Sequence, residues 1–498
     1  MAITRRQFIK RTSLATAGAF FGPSLFGSPF VRQAMAQTIG DRYLVVFFLD
    51  GGNDGFNTVV PYESGTLRTG YTNNRKTGGG GLRLTQADLT GTTLGTGGTL
   101  IGDDPNPNTA TQLALHPGFR GLQAISAGAG GLKALYDAGE LAVVQGCGYP
   151  SYSLSHEESR LIWQTANPFG LGAYTGTGWV GRHLQDEYDG SMIPGVNIQS
   201  SVAPEFRQST TSVLAINRLR NFGFPYDYDY ESDASAKETA FSALYGAAQS
   251  GPLSYVGNSG VATLTSTNSY PPLHGLYESA RSAYSDLYDE VDRSAARDLR
   301  EIAKIIYGVH TGQSGVTARF FQLSNGGYDT HSDQGAVDPD GQHFQLHGEV
   351  ASGLKVFRDD LSTMLDINGV SAWDKTCVLV YSEFSRRIPQ NDNGTDHGSQ
   401  GPVFVLGGKV NGGVYGNHPN VNDLDGDENT RYRQDAYGGY RSTDFRDVYG
   451  TMLKHWVNMQ SADVAALLPI DTGSASTRWT VANFDLKRPL GNVDLFQP

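Results

Sequence analysis

The chain has 498 residues, enough to bury a large core, either as one α/β domain with insertions or as two domains. Its 25 Tyr and 23 Phe, against only 18% charged residues, exclude a disordered chain, since such chains are poor in aromatic residues. A net charge of −12 argues against nucleic acid as a partner. The two cysteines, Cys147 and Cys377, exclude a cysteine-rich metal site, and their apolar surroundings predict buried thiols rather than a disulfide.

Residues 1–36 have the pattern of a twin-arginine signal peptide. TRRQFIK begins at Thr4, a weakly apolar run follows, and Ala34 and Ala36 form a small-x-small cleavage site. The segment holds five basic and no acidic residues, so the chain without it has a net charge of −17. The apolar run is too short to span a bilayer. We therefore expect a periplasmic or secreted protein with no membrane span, exported folded by the twin-arginine machinery, with a cofactor able to bind before export.

The first predicted strand, YLVVFFL at 43–49, is a continuous apolar run, as a strand covered on both faces requires. It stops at Asp50, and the loop GGNDGFNTVVPY follows, with Asn53 and Asp54 among its polar residues. Glycine allows such a loop to turn polar groups toward a ligand, but Asx residues that only build a turn explain the sequence equally well. Residues 64–111, rich in Gly, Thr and Asn, predict a surface insertion.

A helical pattern after His116 leads into a second apolar strand that ends near Cys147, and this order favours a mostly parallel sheet. SYSLSHEESRLIWQTA, at 151–166, then predicts a short helix that begins at Ser155 and His156. A hydroxyl at the amino terminus of a helix is either a cap or a placed nucleophile, and caps are the more common.

Helical patterns dominate residues 167–310, after the strand-like runs PGVNIQ and SVLAINR. Tyr and Leu recur there at spacings of three and four, which predicts a helix face packed on the sheet. We interpret the region of about 222–275 as a second insertion into a single domain that covers residues 37–498.

The strand TARFFQL at 317–323 ends in SNGGYDTHSDQ, which places Asp329 and His331 after a strand end. Asp-x-His joins a carboxylate to an imidazole and is a weak signal for a metal site. The next helix carries His343 and His347 one turn apart. It lacks the Glu of a zincin motif, so we interpret these histidines as solvated or as supports for a ligand.

The stretch 378–406 contains two apolar strands and a reactive-looking loop. The apolar run of VLVYSEF stops at Glu383, the loop RRIPQNDNGTDHGSQ contains Asp396 and His397, and the apolar run GPVFVL follows directly. Beyond it, LGGKVNGGVYGNH predicts a β-hairpin, and the acidic run NVNDLDGDENTRYRQD predicts a surface loop because it lacks the spacing of an EF-hand. TDFRDVYGTMLKHWV predicts a closing helix capped by its first Thr or Asp.

These polar side chains all lie next to strand ends. Because the carboxyl ends of parallel strands meet at one edge of a sheet, we expect them to converge. They are Asp50, Asn53, Ser155, His156, Asp329, His331, Glu383, Asp396 and His397. Carboxylates and imidazoles beside a hydroxyl suit metal-assisted phosphoryl or sulfuryl transfer, with zinc, calcium, magnesium or manganese as the predicted divalent cofactor.

Seven motifs in order resemble the domain-of-unknown-function 1501 family of twin-arginine-exported bacterial proteins, in the alkaline phosphatase and sulfatase superfamily. They are the export signal, LDGGNDGFNTVVPY, SLSHEESRLIWQTA, GGYDTHSDQ, VYSEFSRR, GTDHGSQGPVFVLGG and TDFRDVYGTML. The resemblance implies a three-layer α/β/α sandwich around a mostly parallel sheet. It implies no proven reaction, because the family is named for lacking one.

The resemblance also implies roles for individual residues. Asp50 matches the first-strand metal carboxylate of the superfamily, Asp329 and His331 match an Asp and His pair, and His397 matches the last metal histidine. The nucleophile of the superfamily falls at Ser155 or His156.

Three departures from the pattern reduce the expected metal content. Glu383 and Phe384 stand where the superfamily has Asp-His, which leaves one carboxylate unless Asp396 contributes. Asp329 and His331 are closer together than usual. A sulfatase modification motif with Cys or Ser is missing from the sequence, which disfavours formylglycine chemistry.

The leading expectation is therefore an exported metal-dependent hydrolase of phosphate or sulfate esters, acting on a small molecule or a glycan. The expected ligands are Asp50, Asp329, His331, Glu383 and His397, with Asp396 in reserve. Ser155 is the candidate nucleophile, and Asn53 or His156 would stabilise the transferred group. The alternatives are a non-catalytic exported binding or scaffold protein on the same fold, and a structural protein stabilised by calcium.

Overall fold

The computed structural model describes residues 40–96, 112–123, 125–149, 152–168, 176–188, 192–208, 212–224, 234–246, 252–313, 315–416, 418–419, 443–468 and 494–497. From Arg42 onward, the described residues belong to one compact unit. The predicted export signal, residues 97–111 of the first predicted insertion and the acidic loop at 420–435 lie outside the described residues.

The strands in chain order are β1 (Tyr43–Leu49), β2 (Val59–Pro61), β3 (Thr93–Thr96), β4 (Gln112–Leu115), β5 (Leu141–Gly148), β6 (Gly195–Asn197), β7 (Val213–Ala215), β8 (Phe320–Asn325), β9 (Thr376–Ser382), β10 (Ser385–Arg386), β11 (His397–Gly398), β12 (Gly401–Leu406), β13 (Gly413–Tyr415) and β14 (Thr443–Asp444). The large sheet has the order β13-β5-β12-β9-β1-β8-β6-β7, and β14 pairs with β5. Strands β10 and β11 form a small ribbon, and β2, β4 and β3 form a separate antiparallel sheet.

Strand β12 runs antiparallel to both of its neighbours, β5 and β9. The other pairings within the described part of the large sheet are parallel, so this α/β protein has a mixed, mostly parallel sheet, as the order of strand and helix patterns predicted. Because β12 is reversed, its amino end lies at the edge of the sheet where β1, β5, β8 and β9 end. Residues just before β12 therefore meet residues just after the other four strands.

The α-helices in chain order are α1 (Gly55–Thr58), α2 (Thr66–Asn74), α3 (Gln86–Leu89), α4 (Gly131–Asp137), α5 (His156–Thr165), α6 (Trp179–Glu187), α7 (Ala234–Gly246), α8 (Pro252–Ser269), α9 (Pro272–Ala280), α10 (Ser282–Val291), α11 (Ser294–His310), α12 (Gln342–Ser362), α13 (Phe445–Thr451) and α14 (Ser461–Leu467). A π-helical turn, Met452–Trp456, continues α13, and Asp444 caps α13 by accepting the backbone N–H of Arg446. The closing helix and its predicted Asp cap are confirmed.

Both faces of the large sheet are covered by helices. Every residue of β1 is buried, as its unbroken apolar sequence predicted. Val45 and Phe47 belong to one apolar cluster with residues of α11 and α12. On the other face, the Phe48 ring lies 5.3 Å from Tyr381 of β9, which in turn stacks on Trp163 of α5.

Two local expectations differ from the structure. The predicted hairpin at 406–418 does not form, because β12 and β13 both pair with β5, which lies between them. The segment 64–96 is more than a surface insertion: α2 buries Tyr71, and the fully buried Arg75 forms an ion pair with Asp54 at 2.7 Å. Gly and Thr content signalled a loop, but the buried side chains of Arg68, Tyr71 and Arg75 attach that segment to the core.

Cys147 and Cys377 are buried free thiols, as predicted. Within the described residues, no helix has the combined length and apolarity needed to cross a bilayer.

Candidate metal centre

Five segments bring polar side chains to one edge of the large sheet. The loops that follow β1, β5, β8 and β9 meet the loop that precedes β12 at this edge. The convergence that strand-end positions predicted is therefore present, and the individual side chains decide what it can bind.

His156 is the first residue of α5, and its imidazole is hydrogen-bonded to the carboxylate of Glu383. The Nδ1 atom lies 2.8 Å from Oε1 of Glu383. A carboxylate oxygen accepts, so Nδ1 carries a hydrogen, and in the neutral ring Nε2 then carries the lone pair. That Nε2 atom is buried, has no hydrogen-bond partner among the described residues, and lies 3.4 Å from Oδ2 of Asp329. These two electron-rich atoms repel each other unless a proton or a cation lies between them.

Glu383 is fully buried, and its oxygens are already engaged. Besides His156, they accept the backbone N–H of Gly51 at 3.0 and 3.2 Å and the hydroxyl of Ser382 at 3.0 Å. A carboxylate behind a ligating imidazole fixes the ring and raises the basicity of the opposite nitrogen. The structure therefore places Glu383, which the sequence predicted as a ligand, in position to orient His156.

The Nε2 atom of His397 faces the same carboxylate, that of Asp329. Its Nδ1 lies 2.7 Å from the carbonyl oxygen of Leu154, which can only accept, so Nδ1 carries the hydrogen and the lone pair of the neutral ring is on Nε2. Nε2 lies 3.4 Å from Oδ1 of Asp329. Burial is the main reason that the pKa of His397 is lowered, which favours the neutral, ligating form of the ring.

Asp329 is the carboxylate that faces both imidazoles. Its Oδ1 accepts a hydrogen bond from the buried guanidinium of Arg386 at 2.7 Å. Burial opposes ionisation, but the hydrogen bond and charge of Arg386 outweigh it and lower the pKa of Asp329 to about 2. The carboxylate is therefore negative throughout the physiological pH range.

His156, Asp329 and His397 each offer one ligand atom, and these atoms lie within 4.8 Å of one another. Two imidazole nitrogens and one carboxylate oxygen are a common donor set for a divalent ion that keeps open positions. The orphaned Nε2 of His156 shows that the set fits a cation, because a cation removes the repulsion between this nitrogen and the carboxylate.

His331 and Asp396 lie at the rim of the centre. Nε2 of His331 is 2.8 Å from Nε2 of His397 and 3.2 Å from Oδ1 of Asp329. Since Nε2 of His397 carries a lone pair, His331 donates to it, and an ion bound by His397 would take the place of this hydrogen bond. Oδ1 of Asp396 lies 3.5 Å from Nδ1 of His331, and both side chains are about half exposed. His331 is thus close enough to be a further ligand or to exchange protons with solvent.

Asp50 faces an arginine. It forms a close ion pair with Arg160, and Nε of Arg160 lies 3.5 Å from Oε1 of Glu383. Burial and the neighbouring negative charge of Glu383 raise the pKa of Asp50. The guanidinium therefore neutralises the carboxylate that the sequence predicted as the first-strand ligand.

Ser155 is the N-cap of α5. Its side chain is exposed, and its oxygen accepts the backbone N–H of Glu158 at 3.5 Å. The structure thus shows the capping role, which was one of the two interpretations of this hydroxyl.

Asn53 is buried and faces away from this centre. Its Oδ1 accepts the hydroxyl of Thr58 at 3.1 Å and lies 3.2 Å from Nε2 of His343. The backbone N–H of Asn53 donates to Ser382 at 3.0 Å. Asn53 therefore belongs to a polar network inside the protein rather than to the metal centre.

His343 and His347 form an inner histidine cluster with His116. The ring centroids lie 4.1 Å apart for His343 and His347, 5.2 Å for His116 and His343, and 4.9 Å for His116 and His347. All three rings are fully buried, so the expectation of solvated histidines was wrong. The reason is that this face of α12 packs against the segment 117–120 and not against water. Burial lowers the pKa of each imidazole, that of His343 to about 4.

Sequence patterns missed the arginines. Arg386 lies in the motif VYSEFSRR and Arg160 lies four residues after His156 in the motif SHEESR, so both were visible beside predicted ligands. A basic residue in an otherwise apolar or acidic strand-end motif is a signal for a buried counter-ion, and it could have identified both.

Residues 279–434 match the model of a family described as a protein of unknown function, DUF1501. This finding supports the resemblance to that family over the segment that carries Asp329, His331, Glu383, Asp396 and His397. Neither the curated proteins nor the solved structures contain a match to this chain.

Proposed function

We propose that this protein binds one divalent metal ion through His156, Asp329 and His397 and hydrolyses phosphate or sulfate esters. The observation that carries the proposal is the buried Nε2 of His156, which has no hydrogen-bond partner among the described residues and lies 3.4 Å from the carboxylate of Asp329. Such an arrangement is stable with a cation between the two groups. Export by the twin-arginine machinery to the periplasm or the medium is part of the same proposal, and it rests on the sequence of residues 1–36.

The donor set favours zinc or manganese over calcium or magnesium. Calcium and magnesium prefer oxygen ligands, whereas imidazole nitrogen suits first-row transition metals and zinc. With Glu383 behind His156 and Asp50 paired to Arg160, one ion fits the geometry better than two.

A bound ion would supply Lewis-acid activation of an ester oxygen and of a water molecule. The residues around it carry the other roles. Arg160 and Arg387 are each paired with an aspartate, and as both are about one-third exposed, their guanidinium groups can also donate hydrogen bonds to an anionic ester. His331, next to Asp396, is placed to pass a proton to the leaving oxygen.

An alkaline phosphatase-like three-layer sandwich is also part of the proposal. Helices on both faces of a mostly parallel sheet and a site at the carboxyl ends of its strands support it.

Metal analysis and hydrolysis assays test the proposal. Protein purified without chelators is expected to hold one zinc or manganese per chain and to release product from aryl phosphates or aryl sulfates. The double variant His156→Ala/His397→Ala is expected to lose both properties, whereas His274→Ala, a change of a histidine remote from the centre, is expected to keep them. Wild-type protein that binds no divalent ion, after incubation with each of the four predicted metals, would falsify the proposal.

A non-catalytic exported binding protein is the second candidate. It is favoured by Ser155, whose hydroxyl caps α5, and by the pairing of Asp50 with an arginine. It predicts that the wild-type protein holds its metal ion but hydrolyses neither class of ester.

A further inference from the structure

Arg386 is a fully buried arginine at the base of the candidate metal centre. Its Nε donates to the carbonyl of Gly52 at 2.7 Å, and Nη1 donates to the carbonyl of Thr395 at 3.1 Å. Nη2 donates to the carbonyl of Tyr328 at 2.9 Å and also contacts the carbonyl of Gly51 closely. The same nitrogen donates to the carboxylate of Asp329.

These partners come from three different strand-end loops. Gly51 and Gly52 follow β1, Tyr328 and Asp329 follow β8, and Thr395 precedes the ribbon strand that contains His397. One guanidinium therefore holds together the loop of a predicted metal carboxylate, the loop of Asp329 and the loop of His397. Nη2 has two hydrogens for three acceptors, so one hydrogen is shared, while Nε and Nη1 each donate to one carbonyl. The planar guanidinium holds these directions in one rigid fork, which a lysine ammonium cannot match.

The glycines at this junction leave little room for an alternative arrangement. Gly51 has φ of 122°, and a Cβ there would lie 2.4 Å from the backbone nitrogen of Asp329. The first-strand loop and the β8 loop are thus in backbone contact, with Arg386 bonded to carbonyl groups of both.

We propose that Arg386 is the positioning residue of the metal centre: it sets the distance between Asp329 and the two ligating imidazoles, and the affinity for the ion depends on it. The proposal rests on the proposed metal site and extends it to a residue that does not itself ligate. Residues that orient ligands in this way typically change metal affinity by about 10–100-fold when they are altered.

The test compares Arg386→Lys with Arg281→Lys. Arg281 precedes α10, is 11% exposed and donates to the buried carboxylate of Asp360 at 2.6 Å, so its replacement makes the same change at another arginine that is bonded to a carboxylate. Affinity for zinc is measured by competition with a chromogenic chelator, and the visible spectrum of the cobalt-substituted protein reports the coordination geometry. We expect affinity about 10–100-fold lower and an altered cobalt spectrum for Arg386→Lys, and no change for Arg281→Lys.

A second variant, Arg386→Ala, is tested with added methylguanidinium, which can occupy the vacated space. Recovery of zinc affinity and of the wild-type cobalt spectrum supports positioning when methylammonium, which has the same charge but lacks the planar fork, restores neither.

Each other result decides against the inference. Equal zinc affinity in wild type and Arg386→Lys overturns it and leaves the metal site intact. Failure of both Arg386 variants to fold assigns the residue to folding and also overturns it. Wild-type protein that binds neither zinc nor cobalt rejects the proposed function itself.

Discussion

The protein contains two groups of three histidines that differ in what surrounds them. The rim-side group, His156, His331 and His397, lies at the edge of the sheet around the carboxylate of Asp329. The inner histidine cluster lies under α12 among aromatic rings, and His347 stacks on Phe119 with ring centroids 4.1 Å apart.

The difference shows that the neighbours of a set of imidazoles decide whether the set is suited to hold a metal ion. At the edge of the sheet, Glu383 accepts a hydrogen bond from Nδ1 of His156, and the Leu154 carbonyl accepts one from Nδ1 of His397. In each ring, Nε2 is then the nitrogen that faces Asp329. In the inner cluster, burial keeps the rings neutral, and the Nδ1 atoms of His343 and His347 have no hydrogen-bond partner among the described residues. The four predictions that follow test this contrast.

The largest expected effect is on stability. Replacing His347 by Ala empties a fully buried position between Phe119 and His343, and we expect a loss of about 3 kcal/mol of unfolding free energy. Urea titration measures it. His331→Ala, at a half-exposed position, is the matched control and is expected to cost less than about 1 kcal/mol. Similar losses of unfolding free energy in the two variants would contradict the distinction between a buried structural cluster and an exposed group of histidines.

We expect low pH to reduce the unfolding free energy by protonating the inner histidine cluster. The pKa of His343 is lowered by burial to about 4 in the folded chain, from an ordinary value near 6.5, so the unfolded chain binds the proton more tightly. The contribution of the neutral His343 ring to the unfolding free energy is complete above pH 6.5 and is lost as the pH falls toward about 4. This contribution is about 3 kcal/mol. Urea titrations between pH 7 and pH 4 measure it, and a slope that is unchanged in His343→Gln would assign the effect to other groups.

Glu383→Gln tests the orientation of His156. The amide keeps the shape of the side chain but loses the charge that fixes the Nδ1 hydrogen, and we expect metal affinity to fall about 10–100-fold. Chelator competition measures the change. Glu349→Gln, a buried carboxylate that accepts the N–H of Ala295, controls for the loss of a buried charge and should leave metal affinity unchanged.

The smallest expected effect is that of Ser155→Ala. If the hydroxyl is only a cap, the change costs about 1 kcal/mol of stability, and any esterase activity is preserved. Denaturation and hydrolysis assays on the same sample measure both quantities. Activity that disappears while stability stays within this range would identify Ser155 as the nucleophile.

Much of the architecture could be predicted from local sequence. The apolar run at 43–49 predicted a strand buried on both faces, and the position of Asp50, His156, Asp329 and His397 next to strand ends predicted that they meet. Both inferences depend on hydrogen bonding and burial within a short segment, which sequence patterns record directly.

The role of each side chain at that edge depended on contacts that are distant along the chain. Glu383 reaches His156 across 227 residues, Asn53 turns toward His343 across 290, and Arg386 joins loops up to 335 residues away. Sequence alone determined which residue types arrive at the edge, because strand ends are local features. The tertiary structure determined which of them are placed to ligate an ion, to orient a neighbour or to neutralise a charge. The reason is that the direction of a side chain is set by partners that only folding brings within hydrogen-bonding distance.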